Sequence, residues 1–387
     1  MLQNETGLKQ QRGNIVEGIE LVSLKELLAM DLPKREHLIF PWLRQGESAL
    51  VYAAPGVGKS LFALDLALTV AGGGLFLNQW AAPKTRRVLY VDGEMPLDDI
   101  RDRAAMIARG KLKAGQKFDY DKATENVEYA ARSKQRPGAS FVDLNNEKHQ
   151  ARLLRLIKCG GFELVIFDNL STLAVIEDEN AAGDFNNIVF FFQTLKATGK
   201  AFLLLHHTNK TGASYRGSSK IATTFETEML LKHRTPVNED GEPSIMTDGC
   251  QQTAFSIECP KCRGERDRLL TNGAVATMTS FTDFDTGEKV ALWECEEDES
   301  KATDLLIGLL QSGKYVSQKE LAKALGITQG AVSKRLKRAC RKGELAPQEI
   351  QACWRKARNA RKRTKEIEEE MDATETLEGD LGTTPDF

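Results

Sequence analysis

The sequence predicts an α/β fold: a mostly parallel sheet with helices on both faces, followed by a small helical module at the C-terminus. Three observations carry this. Apolar runs of about five residues alternate with amphipathic segments of helix length, and near-continuous apolar strands belong to a parallel sheet buried on both sides. The stretch Ala53-Ala54-Pro55-Gly56-Val57-Gly58-Lys59-Ser60 sets a Gly-rich turn between a strand-like run, Ser48 to Tyr52, and a helix-like run, Leu61 to Ala71. After an acidic stretch at Glu296 to Lys301, the pattern changes to short, capped helices.

The totals suit such a protein. A chain of 387 residues has room for two or three domains, and 41% hydrophobic with 28% charged residues is the balance of a globular protein. No apolar run approaches roughly 18 residues, so neither a transmembrane helix nor a membrane partner is expected. Met1 to Gly18 is polar, without the apolar centre of a secretory signal. The seven cysteines are scattered and odd in number, which suits a reducing compartment rather than a disulfide framework; a cytoplasmic location is expected.

In order along the chain, residues 1–18 are expected to be disordered and residues 19–295 to form the main domain. Ser23 to Met30 is a short helix, with Ser23 as N-cap and Glu26 three positions on. Leu38 to Gly46 is an apolar cover for one sheet edge. Strands are predicted at Arg87 to Asp92, Val127 to Ala130, Leu164 to Asp168 and Ala201 to His206, with helices at Leu97 to Arg109, Asn146 to Cys159 and Ala182 to Thr198. Glu228–Lys232, Ala254–Cys259, Ala274–Thr279 and Val290–Glu294 are short β pieces, separated by turns such as Asn238 to Gly241; they read as an antiparallel extension of the sheet.

The chemistry begins at the Gly-rich turn. Strand, turn, then Lys-Ser at a helix start is the arrangement of a P-loop, whose backbone N–H groups converge on phosphate oxygens. Pro55, Gly56, Val57, Gly58, Lys59, Ser60 and Leu61 would surround a nucleotide, with Lys59 on the β/γ-phosphates and the Ser60 hydroxyl on Mg²⁺. The pattern's first Gly is Ala53 here, which demands an ordinary φ at that point. Asp168, after four apolar residues, reads as a Walker B acid that holds Mg²⁺. Glu94, just past the strand ending at Asp92, is placed to polarise a water, with Asp92 as its rival. A polar group in His206-His207-Thr208-Asn209-Lys210 could sense the γ-phosphate; side chains alternate along a strand, so only one of the two histidines can face it.

Taken in order, Ala53–Ser60, Glu94, Asp168, His206 to Lys210 and Arg216-Gly217-Ser218-Ser219 resemble the motifs of RecA-fold hexameric ATPases, in particular RepA-type replicative helicases of plasmids and phages, relatives of DnaB. The resemblance spans roughly Leu21 to Glu294. It implies a RecA-like P-loop ATPase core with ATP and Mg²⁺ as cofactors, Glu94 as the catalytic glutamate and His207 as the sensor. It also implies a homo-oligomer, a hexamer, with ATP between subunits and a Lys-x-Arg pair donated by a neighbour. Lys232-His233-Arg234 and Lys261-Cys262-Arg263 both match; Lys261 and Arg263, followed by Gly264, fit the register better. Thr211 to Arg216 would be a DNA-contacting loop. Cys259 and Cys262 form half a zinc site, but no second C-x-x-C exists, so zinc is not expected.

Residues 296–303 read as a linker and 304–354 as a helix-turn-helix domain. Asp304 to Gln311 is a first helix. Ser317 and Glu320 make a capping box for a second, ending at Leu325. Gly326-Ile327-Thr328 is a turn into a third helix, Gln329 to Arg341, and Leu321, Leu325, Ile327, Val332 and Leu336 would share a small core. The third helix offers Gln329, Ser333, Lys334, Lys337 and Arg338 to DNA phosphates and base edges, and Lys342 to Leu345 resembles the start of a wing. Residues 355–387 split by charge: Arg355 to Lys365 carries seven positive residues that would add phosphate contacts, and the tail from Glu366 has nine acids and no Lys or Arg and is expected to be disordered. Two functions stay open: an ATP-driven DNA motor, or an ATP-switched initiator or regulator that binds DNA without moving along it.

Overall fold

A computed structural model of the chain describes residues 15–16, 19–176, 185–209, 212, 214–215, 221–236 and 249–380, with side chains for those between residues 21 and 367. The Arg216–Ser219 motif, Lys210, the start of the helix at Ala182, the Asn238–Gly241 turn and all of residues 1–18 except 15–16 lie outside the described residues, as do Thr211, Ala213 and Arg216 of the expected DNA loop.

Met1–Glu36 is one unit. Strand β1 (Ile15–Val16) pairs antiparallel with β2 (Ile19–Glu20). Helix α1 (Leu24–Ala29) starts at Ser23, whose hydroxyl accepts from the Glu26 N–H while the Glu26 carboxylate accepts from the Ser23 N–H at 2.8 Å, the predicted capping box.

The second unit starts at His37. The segment expected as an apolar cover is a small hairpin, β3 (His37–Ile39) and β4 (Leu43–Arg44). The core then alternates: β5 (Ser48–Ala53), α2 (Lys59–Gly72), a hairpin of β6 (Gly74–Phe76) and β7 (Trp80–Ala82), β8 (Val88–Asp92), α3 (Leu97–Lys113), α4 (Tyr120–Asn126), β9 (Val127–Ala131), α5 (Glu147–Gly160), β10 (Leu164–Asp168), α6 (Leu170–Leu173), α7 (Asn186–Ala197), β11 (Ala201–His207) and β12 (Thr227–Arg234). Long antiparallel strands follow, β13 (Gln251–Cys262), β14 (Ala274–Thr282) and β15 (Lys289–Glu297), with the short α8 (Arg268–Asn272) between the first two. They form a nine-stranded sheet ordered β15-β14-β13-β12-β5-β11-β10-β8-β9. Six strands run parallel, from β12 to β9 in that order. This is the RecA-like P-loop architecture with its antiparallel extension.

Why these strands pair this way is visible in their side chains. Every residue of β5, β8 and β10 is buried, because helices cover both faces. One face packs on α2, α3 and α4, the other on α5, α6 and α7. The extension closes over the first layer: β15 lies against α3 so tightly that a Cβ on Gly110 would stand 1.7 Å from the Ala291 carbonyl oxygen. Only glycine fits there.

The C-terminal region departs from expectation in two places, before and after a helix-turn-helix that matches it. Residues 296–303 are no linker: Glu296 and Glu297 end β15, Asp298 caps the next helix, and α9 (Glu299–Gln311) begins at once. Glu297 is buried beneath Arg335, Arg268 and Asn272, which tie the end of the strand to the helical module and to the short helix before β14. Next, α10 (Gln318–Leu325) and α11 (Gln329–Arg341) form the predicted helix-turn-helix around Gly326 at φ 62°, over a core of Leu306, Leu310, Leu321, Val332, Leu336, Leu345 and Trp354. Among the described residues no strand follows α11; where a wing was expected, α12 (Pro347–Asp380) runs as one helix through the basic run and into the acidic tail. Pro347 stands at its first position and Ala, Gln, Glu, Lys and Arg fill it, which are strong helix formers whatever their charge.

Candidate active site

The strand ends bring the predicted residues together. Ala53, Asp92, Asp168 and His207 occupy the C-terminal ends of adjacent parallel strands, with Asp168 opposite Asp92 and His207 opposite Ala53. Ala53 is the last residue of β5 and stays in its ladders, so the position tolerates a side chain. The turn after it places Gly56 at φ 78° and Gly58 at φ 117°. Gly58 is the N-cap of α2 and no side chain caps this end, so its first backbone N–H groups point into the cleft as an anion site.

A cleft of about 780 Å³ opens there. Pro55, Gly56, Gly58, Lys59, Ser60 and Leu61 line one side, and Glu94, Asp168, Asn169 and His207 line another. Val57 differs from the expectation: its side chain is in the hydrophobic core, leaving only its backbone to a ligand. Lys59 folds back, donating to the carbonyls of Ala53 at 3.0 Å and Ala54 at 3.1 Å, with His207 Nδ1 at 3.4 Å. Burial lowers the Lys59 pKa, against the attraction of Asp168 and Glu94. His206 points the other way and is buried, as strand alternation requires.

Asp168 is buried and pushed up to about 6 by that burial, while hydrogen bonds from Tyr90 and Ser60 oppose the shift. The Tyr90 hydroxyl donates to Asp168 Oδ2 at 2.7 Å. Asp92 has a different job from Glu94. It is fully buried, and its Oδ1 accepts from the backbone N–H of Glu94 at 2.8 Å and Met95 at 2.7 Å. It shapes the turn that presents Glu94. The exposed Glu94 carboxylate is then held by Asn169, whose Nδ2 donates to Glu94 Oε2 at 2.6 Å.

Sequence reasoning missed Asn169 and Tyr90. The signal for Asn169 was its place directly after the Walker B acid; Tyr90 looked like one more strand residue. It also missed the roof of the cleft: Arg103 from α3, Gln251 and Thr253 from β13, Ser280 from β14 and Lys289 from β15. No local pattern marks those residues, because only the closing of the extension over α3 brings them there.

Lys261 and Arg263 are not at this chain's own P-loop. They follow the β13 register to the N-terminal end of β5: Lys261 pairs across from Glu228, which lies opposite Leu50, and the Arg263 N–H donates to the Glu226 carbonyl. Lys261 Nζ donates to the Ala222 carbonyl at 2.6 Å and sits 3.1 Å from Glu228. The alternative pair is engaged too, Lys232 with Glu258 and Arg234 with Asp298. On α11, Gln329, Lys334 and Lys337 are exposed, but Ser333 is half-buried and Arg338 lies 3.8 Å from Glu299. Among the described residues no helix is long and apolar enough to cross a membrane.

Residues 17–213, about half of the chain, match a family described as "AAA domain". Residues 303–343 match one described as "Winged helix-turn-helix DNA-binding". No curated protein matches the chain. Among solved structures, a KaiC-like protein from Pyrococcus horikoshii OT3 aligns with 12% identity and a TM-score of 0.40, over 67% of this chain and 98% of its own. The flagellar accessory protein FlaH from Methanocaldococcus jannaschii aligns with 13% identity and a TM-score of 0.39, over 65% of this chain and 90% of its own.

Proposed function

The chain belongs to the AAA domain family, and on that premise we propose that it is an Mg²⁺-dependent ATPase that acts on DNA as an oligomeric replicative helicase of RepA type. The observation that carries the catalytic part is the Glu94–Asn169 contact at the edge of the P-loop cleft. A carboxylate fixed in that position is a base for the attacking water rather than a solvated turn acid. Lys59 and the α2 N-terminus hold the phosphates. His207, beside Lys59, registers the loss of the γ-phosphate.

Mg²⁺ fits the oxygen donors present: the Ser60 hydroxyl and the Asp168 carboxylate adjoin each other, and the buried Asp92 Oδ2 meets no donor among the described residues. When bound, Mg²⁺ neutralises charge on the phosphate oxygens. Tyr90 keeps Asp168 turned toward Ser60. Lys261 and Arg263 lie away from this chain's P-loop, so a role for them requires a neighbouring subunit's nucleotide, as in a ring.

A second reading, an ATP-switched DNA-binding protein, is favoured by the junction. Arg335 of the DNA-module helix α11 is buried against Glu297 at the end of β15, a strand whose other end, Lys289, lines the cleft. Such a connection suits a lever between nucleotide and DNA. ATP-dependent unwinding of a forked duplex separates the two: the helicase reading predicts strand separation that Lys59→Ala abolishes, and DNA-stimulated hydrolysis without separation at either fork polarity would leave the switch.

A further inference from the structure

Only part of the basic side chains of the helix-turn-helix is left to a DNA partner: Lys334 and Lys337 are exposed, and two arginines are not free. On α11, Arg335 is buried against Glu297, and Arg338 is drawn to Glu299. The cationic surface instead continues onto α12. Its inner face, Ile350, Cys353, Trp354 and Ala357, packs on the module's core. The opposite face carries Gln348, Gln351, Arg355, Arg358 and Asn359 around one shallow recess, and Lys362, solvent-exposed and 3.6 Å from Glu366, extends it at the next helical step. Lys337 and Arg341 of α11 share a groove with Gln351, so the two helices present one surface. From Ile350 to Lys365 the sequence has seven cations and no acid.

We propose that this face of α12 is a second DNA-binding surface, standing where a wing would stand, and that it takes duplex DNA. The inference rests on the DNA-directed reading above and adds where the duplex lies. Charge alone selects a polyanion, and the side-chain types narrow it. Gln and Asn amides pair with adenine edges, Arg with guanine edges or phosphates, and all stand on one helix, an element that a major groove admits. Gln348 to Lys362 spans about 21 Å at about 1.5 Å per residue, enough to follow the groove across both strands. Arg361 is committed elsewhere, pairing with both oxygens of Glu320 at 2.8 and 2.9 Å, which fixes α12 against α10. Acids begin at Glu366 and bound the surface at that end.

The test uses the full chain and fluorescence anisotropy with a labelled, mixed-sequence duplex of about 30 base pairs, titrated across salt concentrations. Arg355→Gln/Arg358→Gln/Lys362→Gln should weaken binding at least about tenfold and flatten the slope of log affinity against log salt by roughly 2 to 3, with the melting temperature of the protein unchanged. Arg355→Lys/Arg358→Lys should keep most of the affinity. Lys334→Gln/Lys337→Gln, on α11, should weaken binding as well. If the α11 variant weakens binding and the α12 triple does not, the inference is overturned while the helix-turn-helix reading stands. If the wild-type chain binds no duplex, both fall. Poly-glutamate that competes as well as duplex at equal charge would also overturn it, since a simple polyanion sink needs no groove.

Discussion

Glu94 and Asn169 show how one hydrogen bond turns a surface acid into a positioned group. Glu94→Gln should leave nucleotide affinity within a few-fold of wild type and lower the hydrolysis rate by about 10² to 10⁴, the usual worth of a general base. Asn169→Ala should lower kcat by about tenfold with little change in nucleotide Kd, because the carboxylate remains but loses its anchor. Steady-state hydrolysis and nucleotide titration check both, and an unaltered kcat for Glu94→Gln removes it from the site. Cys262 carries a second prediction. The Cys259 thiol donates to the Lys261 carbonyl at 3.3 Å; the Cys259 neighbour pulls the Cys262 pKa down, while the same pairing and burial push that of Cys259 up. A lowered pKa means more thiolate near neutral pH, so Cys262 should alkylate at lower pH than its neighbour Cys259. Mass-resolved iodoacetamide labelling across pH reads it directly. Glu94, Asp168 and Lys59 were legible because each stands beside a strand end or a Gly-rich turn. Asn169 was not, because its role is a contact with a residue 75 positions away.

Elements were legible where their period was plain. The strands Val88–Asp92 and Leu164–Asp168 are almost as predicted, and α11 matches residue for residue. The linker and the tail depart from expectation for one reason: a run of charge does not keep an element from forming. Glu296 to Glu299 looked like a linker, yet those acids end a strand, cap a helix and fill a buried ion cluster. Arg355 to Lys365 and the acids after it looked like separate segments, yet one helix carries both, since propensity follows side-chain shape more than sign. The α3–β15 contact tests the packing. Gly110→Ala puts a methyl against the Ala291 carbonyl, and should cost about 1–3 kcal/mol and lower Tm by several degrees in calorimetry. An unchanged Tm would mean that the extension does not close over α3 in solution.

At the scale of the whole molecule, the question is whether one chain suffices. Lys261 and Arg263 stand apart from the chain's own cleft, so the ring reading makes a mixing prediction. Arg263→Ala and Glu94→Gln chains should each hydrolyse poorly. Mixed, they should regain activity, because one interface then pairs an intact Glu94 with an intact Arg263. No recovery at any ratio would assign Lys261 and Arg263 to the structural pairs they make with Glu228 and Glu226.

Local chemistry along the chain was enough for the phosphate-binding turn, the parallel sheet and the helix-turn-helix, because each is written in neighbouring residues: a glycine where φ must be positive, an apolar run buried on both sides, a hydroxyl or carboxylate at a helix start. Three things needed the folded chain. The roof of the cleft, the anchoring of Glu94 by Asn169 and the burial of Arg335 against Glu297 all join residues far apart in sequence. Such contacts depend on strand order and on how the antiparallel extension closes, and no local period encodes either.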